Sequence, residues 1–332
     1  MTISTFNFSS EVDVNILGHI FENSIGEIEE LKADEKGRRK KDGIFYTPED
    51  KTDYICRNTI IPYLSKSGKS NTVNDLMGEY WGSEIEDLYE KVKNIKIVDP
   101  ACGSGAFLNK ASDILLEIHE AIHKEQYKDD KTLMPYFDNI KERRSILLNN
   151  IYGVDLNEES VEITKLSLFL KVCRKGLKLP NLDQNIKCGN SLIDDPKYTD
   201  KPFNWEYEFY EIFEDSGFDI VIGNPPYVRQ ERIKDIKIYL KEKYDSYTGV
   251  ADLYVYFFEK GLHILKIGGN LGYISSNKFI KANYGKKLRK LIMENASFKR
   301  YVDHTWDKVF EGATVHSSIF ILKTVLIKKT KF

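Results

Sequence analysis

Asn224-Pro225-Pro226-Tyr227 gathers a side-chain carbonyl, a proline carbonyl and an aromatic ring on one short turn. Residues 218–223 ahead of it read as a buried strand, and two prolines forbid that strand to continue. A residue before proline is pushed out of the helical region, so Asn224 is expected to be extended at the strand's carboxyl end. Two acceptors beside a flat ring suit the capture of a planar heterocycle that bears an exocyclic amine. The plain alternative is an ordinary β-turn, since Asn and Pro are common turn residues.

Three further groups carry chemistry. Asp99-Pro100-Ala101-Cys102-Gly103-Ser104-Gly105 follows a candidate strand and opens a helix. Gly103 and Gly105 permit a tight turn, close approach of backbone to a ligand, and N–H groups presented at a helix N-terminus. Ile151-Tyr152-Gly153-Val154-Asp155 is a second strand that ends in a carboxylate. In nucleotide-binding α/β folds an acid there accepts hydrogen bonds from ribose hydroxyls, usually about 20 residues after the glycine loop. Here the separation is much larger, which implies an insertion; the alternatives for Asp155 are a helix N-cap or a surface turn acid. A third strand ends Cys188-Gly189-Asn190-Ser191-Leu192, where the Asn190 amide could read an adenine edge or simply belong to a Gly-Asn turn.

His119-Glu120-Ala121-Ile122-His123 matches the HExxH pattern that places two histidines on one helix face for zinc, with Glu142 downstream. The segment falls within the insertion before Asp155, and Pro135 interrupts the path to Glu142. A solvated helix face is therefore expected, with no metal site.

The elements that must position these residues follow from periodicity. Residues 11–32 have helical spacing, and a second helix is expected over 48–64 and a third over 74–93. Between the first two lies the basic run 36–41, expected to be a solvated linker, with phosphate contact as the sharper alternative. From residue 95 strands alternate with helices: strands over 95–99, 151–155, 186–188, 218–223, 270–275, 300–303 and 317–323, helices such as 160–175 and 251–266. Such alternation predicts a doubly wound α/β sheet whose ligands lie beyond the strands' carboxyl ends. The aromatic and acidic stretch 196–215 is expected to be a long ordered loop.

Composition sets bounds. The chain has 332 residues, 41% of them hydrophobic and 30% charged, with a formal net charge of -2, so a DNA-facing surface would have to be local. The start of the chain lacks the basic and apolar regions of a signal peptide, and no run of apolar residues is long enough to span a bilayer. Four dispersed cysteines without a CxxC pair suit a reducing, cytoplasmic setting.

Taken in order, Asp-Pro-Ala-Cys-Gly-Ser-Gly, Gly-Val-Asp, Gly-Asn-Ser and Asn-Pro-Pro-Tyr resemble the S-adenosylmethionine-dependent DNA adenine-N6 methyltransferases. The match is to the γ-type group found in type I modification subunits and fused type IIG restriction–modification enzymes. Gly43-Ile44-Phe45-Tyr46-Thr47-Pro48 looks like that group's N-terminal cofactor motif, and Ala251-Asp252-Leu253-Tyr254 and Gly272-Tyr273-Ile274 resemble its later motifs. The resemblance implies a Rossmann-like methyltransferase sheet over 94–332, mostly parallel with the last strand antiparallel, preceded by an N-terminal helical segment, 1–93.

Carried over by position, the resemblance implies that Tyr46, Thr47, Pro48 and the turn formed by Asp99, Pro100, Ala101, Gly103 and Gly105 hold the methionine part of S-adenosyl-L-methionine. Asp155 and Leu156 would hold the ribose side, and Asn190, Ser191 and Leu192 the adenine. Asn224 and the Pro225 carbonyl would accept from the target adenine amine, on the turn that Pro226 stiffens, while Tyr227 stacks on the base. Phe310 occupies the place of a second stacking aromatic, or else a core position. Double-stranded DNA is the implied partner. No nuclease signature stands out, and a target-recognition domain or specificity subunit is expected outside this chain. Two other readings compete: a protein glutamine-N5 methyltransferase, which also uses Asn-Pro-Pro-Tyr on an amide nitrogen, and a non-catalytic cofactor-binding subunit of a restriction assembly.

Overall fold

The computed structural model describes residues 47–128, 135–174, 178–304 and 317–326. The expected helix over 11–32, the basic run 36–41, Tyr46 and Phe310 lie outside the described residues.

Helix α1 (Glu49–Leu64) begins directly after Pro48, whose carbonyl accepts from the Lys51 and Thr52 N–H groups at 3.1 and 3.0 Å. Proline is placed there without loss, and Glu49 and Asp50 in the first turn favour the positive end of the helix dipole. The single helix expected over 74–93 is two: α2 (Val73–Met77), closed by a Thr72–Asp75 capping box, and α3 (Glu84–Asn94). Gly78 and the positive-φ Gly82 between them break the pattern.

The strands are β1 (Ile97–Asp99), β2 (Ile151–Asp155), β3 (Ile186–Cys188), β4 (Phe218–Gly223), β5 (Leu265–Ser276), β6 (Ala296–Asp303) and β7 (Ser317–Thr324). They form one sheet in the order β3-β2-β1-β4-β5-β7-β6. The first five are parallel, and β7 runs antiparallel to both β5 and β6. The doubly wound sheet with an antiparallel last strand is thus as expected. The helices between strands are α4 (Ala106–Gln126), α5 (Asn139–Asn149), α6 (Glu158–Leu170), α7 (Trp205–Glu208), α8 (Tyr210–Glu214), α9 (Lys237–Lys243), α10 (Tyr254–His263), α11 (Lys278–Lys281) and α12 (Lys286–Asn295).

Strand alternation divides the apolar residues into two cores. Ile97, Ile220, Ile222, Ile274, Ile319 and Ile321 face a cluster with Ile55, Leu88, Leu108 and Leu115 from α1, α3 and α4. Val98, Val221, Leu271, Tyr273, Phe320 and Leu322 face the other, with Tyr239, Val255 and Phe258. A parallel sheet covered on both faces demands such continuous apolar runs. The N-terminal helices therefore share the core of the sheet. At Gly272 a Cβ would lie 2.2 Å from the Thr59 hydroxyl, so only glycine lets α1 sit this close to β5.

Residues 196–215 differ from expectation: α7 and α8 occupy their second half. The reason is packing. Phe203, Trp205, Phe209 and Ile212 are buried, and the Phe203, Trp205 and Phe209 rings meet each other within 5.9 Å and reach Phe218 on β4. Those aromatics belong to the core. Helix α10 is shorter than the expected 251–266, because Leu265 and Lys266 already belong to β5. Asp219, at the opposite end of β4 from the Asn-Pro-Pro-Tyr turn, accepts from the Tyr63 hydroxyl and from the Lys96 N–H at 2.7 Å, and pairs with Lys266 at 2.8 Å. It is an architectural acid.

Candidate functional site: the crevice between the first and fourth strands

Parallel pairing brings the predicted residues to one edge. Asp99 lies opposite Gly153, Asp155 opposite Cys188 and Gly223 opposite Tyr273. The strand order reverses between β1 and β4, the place where open α/β sheets leave a crevice for a ligand.

The turn after β1 is closed by Gly105 N–H donating to the Cys102 carbonyl at 2.8 Å and Cys102 N–H donating to the Val154 carbonyl at 3.1 Å. Gly105 has φ 82° and caps α4; a side chain there would meet the Thr164 methyl at 2.9 Å. Thr164, fully buried on α6, donates to the Gly103 carbonyl at 2.7 Å. A Cβ placed on Gly103, in contrast, would meet nothing within 4 Å. The turn is gripped from beneath and open above.

Asp155 accepts from the Gly103 N–H at 2.9 Å and the Asn157 N–H at 2.8 Å, one at each carboxylate oxygen. Burial pushes its pKa up, and these two N–H groups oppose the shift. Each oxygen keeps a further acceptor site, enough for the two hydroxyls of a ribose. Leu156 beside it is 53% exposed, an apolar face at the rim of the crevice.

Asn190 closes a local turn, its side-chain carbonyl accepting from the Leu192 N–H at 3.1 Å, with its Nδ2 3.5 Å from the Thr199 hydroxyl. Ser191 and Leu192 face inward. The Ser191 hydroxyl donates to the Pro100 carbonyl at 2.5 Å, its own carbonyl accepts from the Trp205 indole at 2.9 Å, and Leu192 is buried in the second core. Both side chains support the crevice from below.

Asn224 sits across the crevice. Its Nδ2 donates to the Thr47 hydroxyl at 3.1 Å, and Thr47 is buried immediately before Pro48 and α1. The half-buried Tyr227 ring is backed by Tyr254, with centroids 6.4 Å apart and planes at 43°. Tyr254 shares a hydrogen bond with Tyr284 at 2.9 Å. Burial holds the Tyr227 phenol far above its ordinary range, so it is uncharged near neutral pH. The chain beyond the turn is strapped down by Leu253 N–H donating to the Val228 carbonyl at 2.9 Å and Gln230 N–H donating to the Asp252 carboxylate at 3.0 Å. Thr164 and Tyr254 were not assigned roles from sequence. Ala251-Asp252-Leu253-Tyr254 was visible as a motif, but no local spacing marks Thr164.

Asp99 is 1% exposed and lies against Gly223, where φ is 153° and a Cβ would come within 2.6 Å of its Oδ1. It accepts from the Ala101 N–H at 3.0 Å. Burial raises its pKa to about 8, with the Asp155 charge adding in the same direction. A folded pKa above the ordinary 3.8 means that the stability Asp99 contributes is fully present below about pH 4 and is lost as pH rises towards 8. Asp99→Asn keeps the acceptor for Ala101 and removes the titration. Thermal midpoints measured from pH 4 to 8 should fall more steeply for the natural protein than for the variant; parallel curves would refute a neutral Asp99.

The HExxH histidines are occupied otherwise. His119 is buried edge-on to Tyr89 at 5.6 Å, burial lowering its pKa to about 4. His123 packs on Tyr127 and Phe137, and Glu120 accepts from Asn139 at 3.0 Å. Among the described residues no cluster of three or more His, Cys, Asp or Glu could hold a metal ion, and no helix is long and apolar enough to cross a membrane.

A glycine loop after β1, an acid after β2 and an antiparallel last strand define an α/β methyltransferase fold. Residues 149–310 match the protein-family model described as Eco57I restriction-modification methylase. The chain is 32% identical over 96% of its length to the type II restriction enzyme and methyltransferase RM.Eco57I of Escherichia coli. It is 42% identical over 78% of its length to the type II methyltransferase M.PaeR7I of Pseudomonas aeruginosa. It spans 32% and 39% of those two proteins' lengths. In fold it is similar to the type IIL restriction-modification enzyme MmeI, solved in complex with DNA, with a TM-score of 0.63 at 17% identity over 86% of this chain and 38% of that one.

Proposed function

We propose that the chain is the methyl-transferring part of a DNA restriction–modification enzyme and that it modifies the N6 amine of an adenine extruded from duplex DNA. One observation carries this reading: the Asn-Pro-Pro-Tyr turn follows β4 at the same edge of the sheet as the open glycine turn after the neighbouring parallel β1, with Gly223 packed against Asp99. The open space above Gly103, the remaining acceptor sites of Asp155 and the exposed Leu156 fit S-adenosylmethionine. That cofactor supplies an electrophilic methyl group on a sulfonium. Gly103, Gly105 and the Thr47–Pro48 backbone would hold its methionine end, Asp155 its ribose hydroxyls and Asn190 its adenine.

An adenine amine is a weak nucleophile because its lone pair is delocalised into the ring. The Asn224 and Pro225 carbonyls would accept its two N–H bonds, draw the nitrogen towards a tetrahedral shape and aim the lone pair at the methyl group. Orientation of this kind can remove roughly 7–11 kcal/mol of barrier, so a strong base is unnecessary. As the C–N bond formed, the methyl group's bond to sulfur would break to leave a neutral thioether, and the nitrogen's surplus proton would pass to water. Extruding the base costs a few kcal/mol, and stacking on Tyr227 returns about 1–3 kcal/mol. Further DNA contacts must make up the rest, and a target-recognition domain or subunit outside this chain would supply them and the sequence specificity.

The test is transfer of a labelled methyl group from S-adenosylmethionine to duplex DNA and, in parallel, to a protein with an exposed Gly-Gly-Gln segment. Label in DNA is expected. Label confined to the protein would favour glutamine-N5 methylation instead, and cofactor binding with no transfer would favour a non-catalytic subunit.

A further inference from the structure

We infer that the Thr47 hydroxyl is the positioning group for the Asn224 amide, fixing which edge of that amide meets the substrate amine; the inference rests on the methyltransfer reading above. Asn224 follows a strand and Thr47 precedes α1, 177 positions apart in the chain, yet the Asn224 Nδ2 donates to the Thr47 hydroxyl oxygen at 3.1 Å. A primary amide is nearly symmetric in shape, and its two edges differ only in that one donates and the other accepts. Substrate capture needs the accepting edge. Rotation by half a turn would present N–H groups to an N–H donor and switch the turn off without moving the backbone. A donor edge tied to Thr47 turns the carbonyl edge the other way.

Thr47 is suited to this task. It is 5% exposed, so water competes poorly for the contact. Its position is set by the start of α1, where the Pro48 carbonyl accepts from two N–H groups and the Thr52 hydroxyl donates to that same carbonyl at 3.1 Å. Helix α1 in turn is locked to β5 by the close Thr59–Gly272 approach. The N-terminal helix therefore reaches the methyl-acceptor turn through one hydroxyl. On this assignment the Thr47 side-chain oxygen serves Asn224, and only the backbone of the segment meets the cofactor.

Thr47→Val keeps the shape and deletes the acceptor; Thr47→Ser keeps the acceptor. For Thr47→Val, kcat for DNA methylation should fall roughly tenfold to a hundredfold, the range for leaving one buried hydrogen-bonding group without its partner. Cofactor affinity by calorimetry should stay nearly unchanged, and Thr47→Ser should restore most of kcat. In the Asn224→Ala background Thr47→Val should cost nothing further, a non-additivity that a merely structural threonine would not show. Two results would overturn the inference: unchanged kcat in Thr47→Val, or weakened cofactor binding with kcat intact at saturating cofactor. Loss of cofactor binding in both Thr47→Val and Thr47→Ser would overturn it too, by making the side chain a cofactor ligand. These outcomes are separable from failure of the function itself, which would appear as DNA methylation undiminished by Asn224→Ala alone.

Discussion

Asn224→Ala is expected to lower DNA methylation by about 10²–10³-fold, the range seen when one preorganised polar contact is removed from a reacting centre. Nearly all the loss should fall on kcat, with cofactor affinity close to that of the natural protein. The reason lies in the geometry. Asn224 follows β4, and its side-chain amide donates to the Thr47 hydroxyl. Removing it leaves the cofactor side of the crevice, with Gly105, Thr164 and Asp155, as it was. Tyr227→Ala should also leave cofactor binding alone but weaken use of DNA by roughly 5- to 150-fold, the equivalent of about 1–3 kcal/mol of stacking. Single-turnover methylation combined with calorimetry separates the two effects. Undiminished methylation by Asn224→Ala would sink the proposed mechanism.

Asp155→Ala is expected to do the reverse: raise the Kd for S-adenosylmethionine by about 10- to 100-fold, with smaller effect on the chemical step once cofactor saturates. Two contributions combine. The ribose hydroxyls lose a charged acceptor, and the Gly103 and Asn157 N–H groups lose theirs. A hydrogen bond to a charged group is worth about 1.5–3 kcal/mol, and 1.4 kcal/mol is about tenfold in affinity. Asp155→Asn keeps an acceptor but not the charge and should fall between. Calorimetric titration of the three proteins checks the order; equal affinities would remove Asp155 from the cofactor site.

Much of the fold was legible because a parallel sheet covered on both faces writes itself as short apolar runs. Residues 151–155, 186–188 and 218–223 were read as the strands that form. The errors share a cause. Phe203, Trp205 and Phe209 carry no helical periodicity in so short a stretch, and only the packing of Trp205 and Phe209 on Phe218 across the core explains why α7 and α8 form around them. The start of β5 was misplaced because Leu265 and Lys266 continue a helical pattern, and the pairing of Leu265 with Phe218 overrides it. At the site, single-strand motifs were visible: Asp99, Asp155, Asn190 and Asn224 each end or follow a strand. What could not be seen were contacts between distant segments. Thr47 with Asn224, Thr164 with Gly103 and Tyr254 with Tyr227 are juxtapositions that no local spacing encodes. The same is true of Ser191 and Leu192, whose motif gave no sign that both turn inward.

The most direct measurement is nucleoside mass spectrometry of DNA from cells expressing the full protein, alongside cells expressing its Asn224→Ala form. N6-methyladenine above background with the natural protein, and its absence with Asn224→Ala, is the predicted result. Methylated cytosine in place of methyladenine, or methyladenine equally abundant in both samples, would contradict the assignment of Asn224–Tyr227 as an adenine-amine methylation site.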